Sequence, residues 1–318
     1  MTSGITDLRL DDTPIAVIDL ETTGVSPGRD RVVEISIMRQ DPGEEPRIVL
    51  DSLVHPERKV AATKIHGITD DDVADAPLFA DIVGDVVEAM SGCVLAAYNV
   101  YFDIKFLSYE LSRSGITHET PHFCLMYLFP MLELGKRCKL DEACGALGIP
   151  YEASHIASQD ALAASKLLQA YTSLLDERGV KTFAELAKLR RYKFVDSFEL
   201  DPLPKAADFN LTPQASPLIS RANFVAPIDP IRAAHVEYWD ALTTVLADLQ
   251  ISDDEFQHIR QIRKRSPLEK EHLRALHAQV FSSAIERYID DEWLDDDELR
   301  KLRKLHRCLS QLGWAPGE

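Results

Sequence analysis

Carboxylates in three short segments are the residues of this sequence best suited to chemistry. The first segment is Asp19-Leu-Glu-Thr-Thr-Gly24, where two acids two positions apart end a β-branched run. Because alternate residues of a strand face one side, the side chains of Asp19 and Glu21 are expected to point the same way. Acids are unfavourable in strands beside apolar neighbours, and Mg²⁺ or Mn²⁺ would suit such oxygen ligands. Spacing alone leaves open an acid pair in solvent at a strand end.

The second segment, Tyr98-Asn-Val-Tyr-Phe-Asp103, joins an apolar run to a helical pattern. Asp103 falls in the first predicted helical turn, where the helix dipole favours an acid whatever its function. Asn99 stands where an N-cap is expected. The segment therefore supplies a carboxylate next to a strand end, but by itself it is equally typical of an ordinary helix start.

The third segment is Ser154-His-Ile-Ala-Ser-Gln-Asp160-Ala161, at the start of an alanine-rich helical pattern. His155 precedes the helix and Asp160 lies about one turn later. Taken alone, His155 is more typical of a surface residue and Asp160 of a first-turn acid. Taken together, the three segments bring four acids and one histidine to strand ends and helix starts.

The pattern of apolar residues before residue 176 predicts an α/β domain that would position these residues. Strands are predicted over 15–19, 32–38, 47–50, 94–98 and 123–129, and helices over 79–90, 102–112, 140–147 and 157–175. Short loops between the first three strands permit antiparallel hairpins. The nearly all-apolar fourth strand indicates burial on both faces.

The remainder of the chain differs in composition. A basic stretch at Lys188, Arg190, Arg191 and Lys193 is interpreted as a solvated helix face, with contact to a nucleic-acid strand as the alternative. Prolines are dense over 196–231, which predicts an extended linker. We therefore predict three parts, namely 1–180 as the catalytic domain, 181–231 as a basic and then Pro-rich linker, and 232–318 as an all-helical domain.

The predicted helical domain contains a weak internal repeat. Residues 253–262 align with 296–305, and both copies begin with a capping-box pattern, Ser252 with Glu255 and Asp295 with Glu298. A longer helix is predicted between them over 268–289. The pattern indicates several amphipathic helices that share one apolar face.

Composition excludes several classes of protein. The 318 residues hold 35 Lys+Arg against 52 Asp+Glu, a net charge of −17, which argues against a general DNA-coating protein. The sequence has no 18-residue apolar run, so no membrane span is expected. Five cysteines without a C-x-x-C pair indicate a reducing, cytoplasmic setting rather than a disulfide framework.

The three segments, in order, resemble the motifs of the DEDDh group of DnaQ-like 3′→5′ exonucleases, which includes the polymerase III ε subunit and RNase T. The matching patterns are D-x-E-T-T-G, N-x-x-F-D and H-x-A-x-x-D-A. Residues 64–69 and 139–149 also resemble the family, and the resemblance covers residues 13–176. Tyr98 departs from the histidine that many members place before the asparagine, which is expected to alter substrate contacts more than metal binding.

The resemblance implies a ribonuclease H-like fold, with a mixed five-stranded sheet flanked by helices and a smaller all-α domain after it. It implies that Asp19, Glu21, Asp103 and Asp160 hold two divalent ions, Mg²⁺ or Mn²⁺, which activate a water and stabilise an in-line displacement. His155 would be the general base. Contacts to the terminal nucleotide would come from Leu20, Thr22, Thr23, His66 and Asn99.

The expected activity is hydrolysis of phosphodiester bonds at the 3′ ends of single-stranded DNA, in proofreading or repair, with release of nucleoside 5′-monophosphates. An RNA-trimming 3′→5′ exoribonuclease and a partner-binding scaffold with a vestigial nuclease remain as alternatives. The C-terminal part resembles TerB-like helical modules more weakly, and a protein partner is expected there. No membrane partner is expected.

Overall fold

A five-stranded mixed sheet forms the centre of the first two-thirds of the chain. The computed structural model describes residues 4–151, 155–213, 219–221, 230–246, 253–288 and 296–314. The strands are β1 Ile15–Thr22, β2 Val32–Gln40, β3 Arg47–Leu53, β4 Val94–Ala97 and β5 His122–Cys124, in the order β3-β2-β1-β4-β5. The pairs β1–β2 and β2–β3 are antiparallel, whereas β1–β4 and β4–β5 are parallel. The predicted mixed five-stranded sheet is confirmed.

Helices flank this sheet and continue beyond it. In the sheet domain they are α1 Thr63–His66, α2 Asp70–Val73, α3 Phe79–Met90, α4 Val100–Arg113, α5 Leu125–Met131, α6 Leu140–Ala146, α7 Ala157–Glu177 and α8 Phe183–Leu189. The C-terminal helices are α9 Pro230–Leu246, α10 Asp253–Arg265, α11 Lys270–Tyr288 and α12 Asp296–Gln311. The helical character predicted for the C-terminal part is confirmed.

The packing of α7 on the sheet follows from small residues. This helix lies against β1 and β2, and Ala157, Ala161 and Ala164 on its inner face are buried. Small side chains let the helix approach the sheet closely, so its first turn lies beside the end of β1. In the sheet, all four residues of β4 are fully buried, as its apolar composition predicts.

The fifth strand is shorter than predicted. The apolar run 123–129 was expected to be all strand, but β5 ends at Cys124 and the chain turns directly into α5. Every residue from Leu125 to Phe129 is buried. A short run without polar positions carries no periodicity, so it cannot distinguish a buried strand from a buried helix.

Residues 181–213, predicted as the first part of a linker, pack on the sheet domain. Phe183, Phe194, Phe198 and Leu203 belong to the same apolar core as the sheet. The Phe183 and Phe198 rings are 5.2 Å apart, and the Ile5 amide donates to the Phe198 carbonyl at 2.9 Å. This packing uses 3₁₀ turns at Lys193–Glu199 and Ala206–Phe209, whose irregular backbone leaves no periodic signal in the sequence. The four basic residues 188, 190, 191 and 193 are all exposed.

The C-terminal helices have a core of their own. It contains Trp239, Leu242 and Ile262. Two residues of the sheet domain also belong to it, Ala62 just before α1 and Ile65 within α1. The capping residues Ser252 and Asp295 lie outside the described residues, as does Ile289 at the predicted end of α11. None of the described helices has the length and apolar character that crossing a membrane requires.

Candidate active site

The end of β1 brings the two acids of the first motif to one cavity. Asp19 and Glu21 both line it, two positions apart on the same face of the strand. The β1–β2 register shifts between Glu21 and Thr22, and such an irregularity bends a strand and turns its side chains. The Leu20 amide between the two acids donates to Asp103 Oδ1 at 3.2 Å. One backbone hydrogen bond thus joins the first motif to the second.

All five predicted catalytic residues lie around this cavity, which measures about 160 Å³. β1 supplies two of them, the start of α4 supplies Asp103, and the start of α7 supplies Asp160 with His155 just before it. The parallel β1 and β4 end on the same side of the sheet, so the helix that follows β4 begins beside the end of β1. The cavity is lined by Asp19, Leu20, Glu21, Thr22, Gly24, Ala62, Ile65, His66, Tyr98, Asn99, Phe102, Asp103, Met126, Lys139, Leu140, Asp141, Tyr151, His155, Asp160, Trp239 and Asp240.

Burial and mutual repulsion make this cluster of carboxylates electrostatically costly. Burial, followed by the charges of Asp160, Asp103 and Glu21, raises the pKa of Asp19 well above its usual value. Burial also raises the pKa of Asp103 to about 8, against the hydrogen bonds that its carboxylate accepts from backbone amides. Carboxylates with raised pKa values in one cavity are typical of a site that a cation completes.

His155 lies between two carboxylates. Its Nδ1 is 3.6 Å from Glu21 Oε1, and its Nε2 is 3.4 Å from Asp240 Oδ2. Burial alone would lower the pKa of His155, but Asp240 and Glu21 outweigh burial and raise this pKa well above its usual value. Burial alone would raise the pKa of Glu21, but the nearby His155, His66 and Arg221 outweigh burial. The pKa of Glu21 therefore lies below its usual value.

The donor set fits a divalent metal ion. Single ligand atoms of Glu21, His155 and Asp160 all lie within 4.8 Å of one another. Oxygen ligands dominate the cavity, as Mg²⁺ and Mn²⁺ prefer. Asn99 adds a buried Oδ1 atom without a hydrogen-bond partner, and Tyr151 donates its hydroxyl to Asp160 Oδ1 at 2.7 Å, which orients that carboxylate.

Four of the five residues predicted to contact substrate line the cavity, namely Leu20, Thr22, His66 and Asn99. Thr23 is not among the residues that line it. Its hydroxyl donates to Asp30 Oδ1 at 3.0 Å and accepts from the Arg31 amide at 3.1 Å. Because both bonds close the turn after β1, Thr23 shapes the loop.

His66 and Tyr98 have defined partners in the cavity wall. His66 Nδ1 accepts from the Ile68 amide at 3.0 Å, and burial lowers the pKa of His66 to about 4, so its ring is neutral. Tyr98 stands where many relatives of the DEDDh group carry histidine. Its hydroxyl donates to the Cys138 carbonyl at 2.7 Å and thereby ties β4 to the segment before α6.

Helix α9 contributes residues to the cavity that the motifs do not reveal. Trp239 and Asp240 both line it, and Lys139 Nζ donates to the Glu237 carbonyl at 3.0 Å. Trp239 and Asp240 lie about eighty positions beyond the third motif, in a part where the sequence shows no catalytic motif. No local signal could therefore have assigned them to the site.

Comparisons with known proteins agree with this geometry. The RNase T family model, described as "Exonuclease", matches residues 16–168. The DNA polymerase III subunit epsilon of Treponema pallidum is 33% identical over 150 residues, which are 45% of this chain and 69% of that protein. A "DNA polymerase III subunit epsilon-like protein" of Rhodobacter capsulatus is 33% identical over 200 residues, which are 60% of this chain and 28% of that protein.

A further relative and one solved structure are also similar to part of this chain. The epsilon subunit of Haemophilus influenzae is 31% identical over 148 residues, or 42% of this chain and 56% of that protein. Exonuclease X, solved in complex with 5′ overhanging duplex DNA, has a TM-score of 0.42 and 23% identity, and the alignment covers 55% of this chain and 98% of that one. The chain thus spans less than two thirds of the length of two of these three curated relatives.

Proposed function

Because the chain belongs to the DnaQ-like family of RNase T exonucleases, we propose that it is a metal-dependent 3′→5′ exonuclease. Its proposed substrate is the 3′ end of single-stranded DNA, and its products are nucleoside 5′-monophosphates. The observation that supports this most directly is the convergence of four carboxylates and one histidine on one cavity. A vestigial site would not be expected to keep all five, since buried carboxylates destabilise a fold unless they serve a purpose.

The proposed roles of the carboxylates follow from their placement. Two divalent ions would be held by Asp19, Glu21, Asp103 and Asp160. When bound, these ions lower the pKa of a water and stabilise the attacking and leaving oxygens of an in-line displacement. Tyr151 keeps Asp160 oriented through its hydroxyl, and the Leu20 amide does the same for Asp103.

His155 is the proposed general base. It would accept a proton from the attacking water at a ring nitrogen, and it lies in the wall of the cavity within 3.6 Å of Glu21. Contacts to the terminal nucleotide are assigned to Leu20, Thr22, His66 and Asn99. The neutral ring of His66 and the unpaired oxygen of Asn99 can both hydrogen-bond to sugar or base.

The substrate proposal draws on the relatives and on the shape of the site. The curated relatives are subunits of a DNA polymerase, which favours DNA ends and a role in proofreading or repair. The proposed catalytic residues line one cavity of about 160 Å³, which favours the end of a single strand over a duplex as the bound species. Local positive charge from bound cations would offset the net charge of −17.

Degradation of labelled oligonucleotides tests the proposal. A single-stranded DNA labelled at the 5′ end should shorten by one nucleotide at a time with Mg²⁺ or Mn²⁺ and stay intact with EDTA. The same DNA labelled at the 3′ end should release its label as a mononucleotide in the first turnover. Asp19→Ala serves as the matched inactive control. Release from the 5′ end would contradict the polarity, and faster degradation of a matched RNA would support the exoribonuclease alternative.

A further inference from the structure

Arg221 lies outside the region that the family model matches, yet its side chain reaches under the catalytic cavity. It belongs to the short described segment 219–221, where the Leu53 amide of β3 donates to the Ile219 carbonyl at 2.8 Å. The Arg221 guanidinium is buried and donates to both carboxylate oxygens of Glu34, at 2.9 and 2.7 Å. Glu34 itself is fully buried in β2.

The same guanidinium holds the backbone on both sides of the cavity. It donates to the carbonyl of His66 at 3.0 Å and to the carbonyl of His155 at 3.0 Å. Glu34 Oε2 accepts from the Ala157 amide at 3.1 Å, at the start of α7. The Arg221–Glu34 pair therefore fixes three backbone groups around the base candidate.

His155 needs such support because its backbone is strained. Its φ is 49°, in the left-handed region that a non-glycine residue adopts only at an energetic cost. Strain of this kind persists where neighbouring contacts determine the conformation. The direction of the imidazole depends on this backbone geometry, and misplacement by about 1 Å can cost roughly 100-fold in rate.

We propose that Arg221 is a positioning residue for His155, acting through the backbone carbonyl of the base; this inference rests on the proposed function. A lysine at this position would keep the positive charge but would lack the planar fork that reaches Glu34 and two carbonyls at once. Arg221→Lys should therefore lower kcat by about 10- to 100-fold, with KM nearly unchanged.

A double-mutant cycle separates positioning from general structural support. In a His155→Ala background, Arg221→Lys should change the residual kcat by less than about twofold, since there is no base left to position. An equal loss in both backgrounds, or none in the wild-type background, would overturn the proposal. If Arg221→Lys fails to fold, Glu34→Gln with Arg221→Gln removes both buried charges and enters the same cycle.

Hydrogen exchange gives a readout that does not need activity. In Arg221→Lys the amides of residues 155–160 should exchange faster, while those in the rest of α7 keep wild-type rates. Unchanged exchange over 155–160 would contradict the positioning role even if no nucleic acid is ever cleaved. Failure of the exonuclease proposal shows separately, as a wild-type protein without activity in the labelled-oligonucleotide assay.

Helix α9 makes a second set of contacts, with polar side chains that line the cavity. Asp240 Oδ2 is 3.4 Å from His155 Nε2, and Glu21 faces the other ring nitrogen. A base needs one ring nitrogen directed at water, and both nitrogens here face carboxylates. Lys139 lies in the cavity wall, where its ammonium could bind a phosphate. In this structure that ammonium donates to the Glu237 carbonyl of α9.

The position of α9 also limits what can enter. The cavity of about 160 Å³ is smaller than the ~300–1,000 Å³ of ordinary small-molecule sites. Asp240 adds a negative charge where a phosphodiester must approach. Trp239 shares an apolar cluster with Ala62 and Ile65, which holds the helix against α1.

We infer that α9 is an intramolecular cover of the catalytic cavity, which a 3′ end must displace; this too rests on the proposed function. Removing the Asp240 contact should increase the fraction of open molecules, because the apparent affinity scales with that fraction. In the full-length chain, Asp240→Ala should raise kcat/KM on a single-stranded oligonucleotide by about fivefold or more. Glu271→Gln removes an equal charge from an exposed position on α11 and should leave kcat/KM unchanged.

A decrease or no change in kcat/KM for Asp240→Ala would overturn the inference that α9 covers the cavity. Reactivity of Lys139 tests the same inference without catalysis. Acetylation of Lys139, followed by mass spectrometry without nucleic acid, should be about fivefold faster in Asp240→Ala than in the wild-type protein. An unchanged rate would show that α9 does not shield the cavity, whatever the enzyme degrades.

Discussion

Asp103 shows how a side chain that is costly for the fold can be retained for chemistry. Its pKa is raised from 3.8 to about 8, so the folded state holds a proton that the unfolded chain releases near pH 4. A carboxyl with a raised pKa makes the fold less stable as the pH rises from about 4 to 8. Bound cations would offset this loss of stability, which is therefore expected in the metal-free protein.

Asp103→Asn should therefore separate stability from activity. The metal-free variant should unfold at a higher temperature than the wild-type protein at pH 8, and the difference should shrink towards pH 5. Exonuclease activity should fall by several orders of magnitude. Thermal unfolding in EDTA at both pH values, with the labelled-oligonucleotide assay, measures the two effects. A variant that is both active and no more stable would argue against a carboxylate cluster for metal at this site.

His155 is expected to affect the chemical step rather than binding. His155→Ala should lower the single-turnover rate by about 100- to 10,000-fold, the usual range for a general base. The dissociation constant for a single-stranded oligonucleotide should stay within about twofold, because the predicted nucleotide contacts come from other residues. Fluorescence anisotropy and rapid-quench assays give the two numbers. Weaker binding at an unchanged single-turnover rate would assign His155 to substrate binding.

At the scale of elements, sequence patterns succeeded where periodicity was long and failed where it was short. Helix α3 was predicted at its observed bounds, Phe79–Met90, because twelve residues show a clear apolar face. The run that forms β5 and α5 is buried throughout and offered no such contrast. The 3₁₀ turns after α8 have no period to detect and were predicted as linker.

Phe198 tests whether that segment is part of the sheet domain. Its ring is 2% exposed and packs against Phe183 and Phe194. Phe198→Ala should reduce the free energy of unfolding by about 3–5 kcal/mol. Leu189→Ala, at a position 39% exposed at the end of α8, should change it by less than about 0.5 kcal/mol. Urea unfolding measures the free energy of unfolding of both variants. If both substitutions change it by the same small amount, the segment is a linker and not part of the sheet domain.

The candidate site shows the same division between local and distant information. Three ordered motifs predicted the five residues that surround the cavity, because each motif carries its chemistry within a few positions. Tyr151, Trp239 and Asp240 reach the cavity only through tertiary packing, and their sequence contexts carry no comparable signal. The hydroxyl of Thr23 turns away from the cavity to Asp30 and Arg31, which a motif could not predict because it gives residue types but not the direction of each hydroxyl.

For the whole molecule, these contacts move the expected domain boundary. We propose that the catalytic domain extends to residue 221 rather than 180. A chain of residues 1–180 would lose Phe183, Phe194 and Phe198 from its core, and it would leave Glu34 buried without Arg221. Loss of one partner of a buried ion pair alone costs about 3–5 kcal/mol.

A chain of residues 1–221 should accordingly unfold cooperatively, and one of residues 1–180 should not fold at 25 °C. Circular dichroism and thermal unfolding of the two proteins check this directly. A 1–180 chain that folds and degrades oligonucleotides would restore the boundary predicted from the sequence. Independent folding of residues 232–318 stays a prediction, because Ile65 from α1 of the sheet domain belongs to the core of the C-terminal helices.

The ion pair between Glu34 and Arg221 also has a consequence for synthesis of the protein. Its partners are 187 positions apart, and at about 5–20 residues per second this separation takes the ribosome roughly 10–40 seconds to translate. The second and third catalytic motifs are made during that interval, and until it ends the buried carboxylate of Glu34 has no counter-ion. The backbone at His155 lacks its anchor for the last 66 of those positions, or roughly 3–13 seconds at the same rate. A nascent chain of this protein therefore completes its catalytic site only after Arg221 has emerged from the ribosome.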